Sequence, residues 1–265
     1  MWIGYLDTSF NEGSDGRFNL VDGLVSPDRL VGSSAPFSLE LTRDCVDVRR
    51  GVAGGLNPQN MHDRRISHHP TDGFVGTYEA RIGFNQGQMV GLIRQYADSL
   101  GRKLSVLDAG CGYGSALLDL FEIDCVDREA SFGVTLRTEL VKREVRDRVF
   151  GGNFAFLEID DDVSRFDLFF SVFGALYYHP IVQRKGYSYL YNFPFLHAVN
   201  MTKIGGLIFI DGSTLWGINV DDFVKMGVVE EIIPQKGCLK LLRRPSDDEI
   251  AQVLKLKGGV MPFDV

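Results

Sequence analysis

The stretch Val106-Leu107-Asp108-Ala109-Gly110-Cys111-Gly112-Tyr113-Gly114 carries the clearest chemistry in the chain. An apolar run ends on a carboxylate and enters a turn with glycine at every second position. Glycine admits φ > 0 and lets a ligand come close to the backbone. The carboxyl end of a parallel strand is where open α/β sheets hold ligands. A dinucleotide fingerprint, G-x-G-x-x-G, sets pyrophosphate on a helix N-terminus. Here the third glycine arrives one residue too early for that spacing. Asp108, two residues before the first glycine, would also repel pyrophosphate, whereas it suits a ligand that bears an ammonium group.

A second group is the set His62, Asp63, His68 and His69, next to Arg64 and Arg65. Imidazole and carboxylate are common zinc ligands, but this spacing fits no standard site, so no metal is expected. The alternatives are a polar surface loop, or a lid that carries a histidine such as His69 to an acceptor.

These residues need elements to place them. Tyr78 to Leu100 has helical periodicity, with Ile82, Met89, Val90, Ile93 and Tyr96 on one face and Gly101 at its stop. Leu104 to Leu107 reads as the first strand, and a helix starts near Ser115. Phe132 to Leu136 reads as the second strand, followed by a charged helix to about Arg148. Phe154 to Ile159 and Phe166 to Val172 read as the third and fourth strands, Tyr189 to Met201 as a helix, and Gly206 to Ile210 as the fifth strand. This alternation implies a parallel sheet covered by helices on both faces. Val228 to Ile233 and Leu239 to Leu242 flank Pro234-Gln235-Lys236-Gly237 and read as a hairpin. Its link is too short for a crossover helix, so its last strand should run antiparallel, between its predecessor and the fifth strand. Residues 1–75 are rich in turn formers and read as an irregular segment, a lid or an arm between subunits. Residues 76–245 form the main domain, and 246–265 a tail with a short helix from Asp247 to Leu256.

The loop from Asp108 to Gly114 resembles the first motif of class I S-adenosylmethionine-dependent methyltransferases, D/E-x-G-x-G-x-G. Asp108, Gly110, Gly112 and Gly114 match it position by position, and Cys111 lies within it. The resemblance spans about residues 80–244. It implies a Rossmann-like α/β fold with a seven-stranded, mostly parallel sheet and a C-terminal antiparallel hairpin, and S-adenosylmethionine as cofactor. Gly133-Val134-Thr135-Leu136 resembles the second-strand motif G-I/V-T-L, which brings Thr135 and Leu136 to the ribose. That subset often has a Gln a few residues on, where this chain has Glu139 and Leu140; Asp127 is a rival for the ribose. Phe154 to Asp160 is similar to the third-strand motif, which implies that Asp160, or alternatively Glu158, contacts the adenine amino group. Phe166-Asp167-Leu168-Phe169-Phe170-Ser171-Val172 resembles the F-D-L/V fourth strand, with Ser171 at the cofactor, and Lys203-Ile204-Gly205-Gly206 the K/P-G-G fifth.

Methyl transfer from a sulfonium is an in-line displacement of an activated leaving group, so positioning and water exclusion do much of the work. The resemblance places Gly174-Ala175-Leu176-Tyr177-Tyr178-His179-Pro180 beside the methyl. His179 could serve as a base near neutral pH, and Tyr177 and Tyr178 could shape an acceptor pocket or face the sulfonium. The loop lacks the D/N/S-P-P-Y/F/W motif of amino-directed adenine and glutamine methylation, the Pro-Cys of cytosine C5 methylation, and the Glu-His of lipid cyclopropanation. Tyr187, Tyr189, Tyr191, Phe193 and Phe195 could line an apolar acceptor site or serve packing.

Composition narrows the class. The 265 residues carry a net charge of −7, which argues against nucleic acid as a partner, since duplex binding calls for a basic face. The four cysteines form no CxxC pair and fit a reducing, cytoplasmic setting. No signal peptide and no membrane-spanning run is read in the sequence. The expectation is a methyltransferase for a small-molecule acceptor, by O- or N-methylation, with a possible homo-oligomer through the N-terminal segment. The alternatives are methylation of protein or RNA, or a non-catalytic protein of the same fold.

Overall fold

The computed structural model describes residues 3–5, 18–19, 40–41, 74–135, 140–151, 157–159, 165–172, 176, 192–211, 218, 220–233 and 237–253. Three short strands, β1 (Ile3–Tyr5), β2 (Phe18–Asn19) and β3 (Glu40–Leu41), precede the helices α1 (Phe74–Ile82) and α2 (Gln88–Leu100). The single helix expected over Tyr78 to Leu100 is thus two. Gly83 (φ 93°) and Gly87 (φ 79°) take left-handed conformations that interrupt it. The Glu79 carboxylate then accepts the backbone N–H groups of Gly87 and Met89, both at 2.7 Å, and so caps the start of α2. Gly101 ends α2 in the left-handed conformation, as read from the sequence.

The body of the molecule is an open seven-stranded sheet. Its strands are β4 (Val106–Ala109), β5 (Phe132–Thr135), β6 (Val149–Gly151), β8 (Phe166–Ser171), β9 (Thr202–Ile210), β10 (Val229–Glu231) and β11 (Cys238–Leu241), in the order β10-β11-β9-β8-β4-β5-β6. The chain enters at β4 in the middle, steps outward through β5 and β6, and returns to the other side of β4 as β8. Strand order therefore reverses between β5 and β8, and the switch point falls at the carboxyl end of β4. Parallel pairing holds from β6 to β9, while β11 is antiparallel to both its neighbours, with Val229 opposite Leu241 and Lys240 opposite Leu207. The C-terminal strand pair thus inserts its last strand as its short link requires.

The third strand is a correction. The sheet position next to β5 belongs to Val149–Gly151, with Gly133 opposite Val149. Leu157–Ile159, here β7, pairs antiparallel with β1 in a separate two-stranded sheet, Ile3 opposite Ile159. Val149-Phe150-Gly151 was hidden behind the charged run before it, which forms a 3-10 helix over Arg143–Arg148. A three-residue strand gives too little alternation to stand out from a helix end.

Apolar residues cover both faces of the central strands. Val106, Leu168, Phe170, Leu207, Phe209 and Cys238 meet Met89, Ile93 and Ala97 of α2 and Ala116 and Leu120 of α3 (Ser115–Phe121) in one cluster. Phe170 and Phe209 stack within it at 4.5 Å between centroids. Leu107, Phe169, Ile208 and Leu239 are equally buried and stand outside that cluster, as strand alternation demands. So do Phe195, Leu196 and Val199 of α4 (Asn192–Met201), which packs against β8 and β9. Two further helices, α5 (Val220–Lys225) and α6 (Asp247–Val253), flank the hairpin. Among the described residues no helix is long and apolar enough to cross a membrane.

Candidate functional site

The glycine loop rises from the carboxyl end of β4 at the switch point. Gly110, Gly112 and Gly114 have φ values of 93°, 59° and 76°, so the backbone turns through the left-handed region at every second residue. The N–H groups of Gly110 and Cys111 both donate to the Val134 carbonyl at 2.9 Å, which ties the loop to β5. Gly114 opens α3, and a Cβ there would lie 2.6 Å from Cγ2 of Val145. The third glycine therefore has a packing reason of its own. Gly133 is similar: a Cβ on it would meet Cys111 Sγ at 2.7 Å and Cys111 Cβ at 3.0 Å. This glycine in β5 makes room for the side chain of the loop above it.

Asp108 lies beneath the loop, with none of its surface exposed. The Tyr78 hydroxyl of α1 donates to its carboxylate, 3.2 Å from each oxygen. Among the described residues this neutral hydroxyl is its one hydrogen-bonding partner, and no Lys, Arg or His stands against it. Burial pushes the Asp108 carboxyl up to about 7, and the Tyr78 hydrogen bond offsets part of that rise. Burial, followed by the Asp108 charge, likewise holds the Tyr78 hydroxyl well above its usual range. The Cys111 thiol is raised for the same two reasons, so it is a packed thiol and no nucleophile. Asp211, just beyond β9, is buried and close enough to act on Tyr78. The interior below the loop is acidic, and no cation among the described residues balances Asp108. That is the environment a cationic ligand would complete.

Thr135 and Ser171 end the strands on either side of β4. Register puts Ala109 opposite Val134 and Asp108 opposite Phe170, so both hydroxyls lie one residue past these pairs, at the loop's edge of the sheet. Both are buried, and Ser171 Oγ accepts the Leu176 N–H at 3.2 Å, which anchors the segment after β8. Asp127 is at the other edge. Its carboxylate accepts the N–H groups of Glu129 and Ala130 at 3.0 and 3.3 Å and shapes the turn before β5. It thus stands before the start of β5, at the opposite end of the strand from Thr135. Glu158 is in β7, opposite Gly4, outside the main sheet. Leu136, Glu139, Asp160, Tyr177, Tyr178, His179, His69 and the cluster from His62 to His68 lie outside the described residues.

The F-D-L and K-x-G-G motifs meet at the opposite edge of the sheet. The Asp167 carboxylate accepts both guanidinium nitrogens of Arg102 at 2.6 and 2.8 Å, Lys203 Nζ at 3.1 Å, and the N–H and hydroxyl of Ser105 at 2.9 and 3.0 Å. Burial alone would raise this acid, but the Arg102, Ser105 and Lys203 contacts prevail and hold it at about 2. The register jump from Phe166–Thr202 to Leu168–Leu207 puts Lys203-Ile204-Gly205-Gly206 in a bulge opposite Asp167. These two motifs are thus a structural clasp at the amino ends of β4, β8 and β9, remote from the glycine loop.

Sequence reasoning missed Tyr78 as the partner of Asp108, and Asp211 as a neighbour of Tyr78. Tyr78 is i, i+4 from Ile82 on the buried face of α1, but its bond to Asp108 spans 30 residues and no local pattern encodes it. The chain matches no protein-family model, and no curated protein matches it.

Proposed function

We propose that the chain is an S-adenosylmethionine-dependent methyltransferase with a Rossmann-like fold, acting on a small-molecule acceptor by O- or N-methylation. The observation that carries this reading is Asp108, a buried carboxylate with no cation against it among the described residues, directly below a loop of three left-handed glycines at the switch point of an open sheet. A pyrophosphate would meet that carboxylate unfavourably, and an ammonium would meet it favourably. The single antiparallel strand β11, inserted between β10 and β9, adds the sheet order expected of the proposed class.

The residues fit such a cofactor. The turn from Gly110 to Gly114 would pack against its amino-acid part, and Thr135 would offer one hydroxyl to the ribose from the end of β5. When bound, the cofactor supplies a methyl group on sulfur, already activated for displacement. The chain's part is to hold that group in line, exclude water and place the acceptor. Tyr178, His179 and His69 are the proposed acceptor-side residues, with His179 holding the acceptor's proton where the acceptor is a hydroxyl.

Calorimetry with S-adenosylhomocysteine tests the reading. Binding at micromolar scale, about −8 kcal/mol, is expected. Gly110→Val should abolish it while circular dichroism stays unchanged. Tight binding of NAD, with no heat from S-adenosylhomocysteine, would overturn the assignment.

A further inference from the structure

One polar contact among the described residues that ties α1 to the sheet beneath the glycine loop is the bond from Tyr78 to Asp108. It rests on the reading above. Tyr78 is 2% exposed, its ring packs on Phe170 at 6.0 Å between centroids, and its hydroxyl spans both oxygens of Asp108. The same helix is pinned at its start by the Val75 N–H, which donates to Asp119 of α3 at 3.0 Å. Tyr78 is therefore fixed from two sides, and Asp108 has no other side-chain contact to orient it among the described residues.

A carboxylate has acceptor sites for several donors, and one neutral hydroxyl leaves it far short in a dry interior. The titratable groups that act with it are Tyr78 of α1 and the Cys111 thiol of the loop, and Asp211 beyond β9 acts on Tyr78 in turn; none of them brings positive charge. Such an acid takes up a proton, or receives a cation.

We propose that Tyr78 is a positioning residue of the loop site: its hydroxyl holds the Asp108 carboxyl and keeps it ionisable inside the core, so that an ammonium-bearing ligand binds in exchange for a proton. The balance is simple. A protonated Asp108 and a ligand cation go in, an Asp108 carboxylate paired with that cation results, and one proton goes to the buffer. The Tyr78 hydroxyl donates to the carboxylate form, so it favours this exchange near neutral pH.

Two measurements test it on the full chain. In the ligand-free protein, the Asp108 carboxyl carbon resonance should titrate near pH 7, and should titrate at higher pH in Tyr78→Phe. Calorimetry of S-adenosylhomocysteine in buffers of different ionisation heat should show close to one proton released at pH 6, and little at pH 8.5. The titration of free S-adenosylhomocysteine in the same buffers supplies the correction for the ligand's own protons. In Tyr78→Phe, release should persist at pH 8.5, and affinity at pH 7 should fall about tenfold with partial recovery at pH 8.5. A Tyr78 that serves packing alone would weaken binding equally at every pH and leave the Asp108 resonance in place, and that result overturns the inference. So does wild-type binding without proton release at pH 6, although the cofactor assignment then stands. Absence of any binding defeats that assignment and this inference together.

Discussion

Asp108 and Asp167 are both buried acids in adjacent strands, and their surroundings drive them in opposite directions. Asp167 has three cationic or backbone partners and is held at about 2, whereas Asp108 has a phenol and is pushed up to about 7. The two make opposite contributions to stability as pH changes. Asp108 binds its proton more tightly folded than unfolded, so it favours the fold below about pH 4, and that contribution is lost as pH rises to about 7. Asp108→Asn removes the loss. The variant should be more stable than the parent at pH 8, on the order of 2–4 kcal/mol, and within about 1 kcal/mol of it at pH 4.5. Urea midpoints at the two pH values measure this; an equal offset at both would show that Asp108 is already solvated or paired. For Asp167 the sign is reversed: its stabilisation is complete above about pH 4 and disappears as pH falls through about 2. Asp167→Asn at pH 7 should cost about 2–3 kcal/mol, toward the low side for a broken buried pair, since Arg102 and Lys203 retain 47% and 29% exposure and can turn to water. It should leave cofactor affinity unchanged, because the clasp is at the far edge of the sheet.

Among the elements, β5 and the loop are coupled through a glycine. Gly133→Ala places a methyl group 2.7 Å from Cys111 Sγ and 3.2 Å from Leu117 Cδ2, so the loop must shift or the strand must bend. A cost of about 1–3 kcal/mol is expected. Cys111→Ala should restore part of it, by removing the nearest atom, and a double-mutant cycle with additive effects would contradict the contact. This is the scale at which the sequence was most legible. The run from Val106 to Gly114, the stop at Gly101 and the hairpin of β10 and β11 all rest on short-range turn chemistry, and the structure has each in place. What the sequence concealed was set at long range or by very short pieces. The break between α1 and α2 depends on Glu79 reaching forward to cap the second helix. The third strand position went to Val149–Gly151 because pairing with β5, not periodicity, defines it. The charged residues of the F-D-L and K-x-G-G motifs, Asp167 and Lys203, hold strand ends together across 36 residues of sequence, a contact no local pattern encodes.

At the scale of the whole molecule, the N-terminal residues are joined to the main domain by a pairing no local pattern announces. Ile3–Tyr5 pairs antiparallel with Leu157–Ile159, which lies in the connection between β6 and β8. That connection crosses from the outer edge of the sheet to its centre, and its far end leads into the strand that carries Ser171 to the loop's edge. The short, turn-rich segment of residues 1–75 offers only scattered apolar pieces, too few to bury a core of its own. We propose that it covers and orders what it pairs with, as a lid over a water-excluding site does. Removing residues 1–60 should leave α1, with Tyr78, and the seven-stranded sheet intact, and S-adenosylhomocysteine should still bind within about tenfold of the full chain, a change of about 1.4 kcal/mol. Amide exchange at Leu157, Glu158 and Ile159 should accelerate, since the strand loses its partner, while β4, β8 and β9 keep their protection. Loss of protection throughout the sheet would show that the N-terminal residues belong to the core, and unchanged exchange at Leu157–Ile159 would show that the pairing with β1 does not persist in solution.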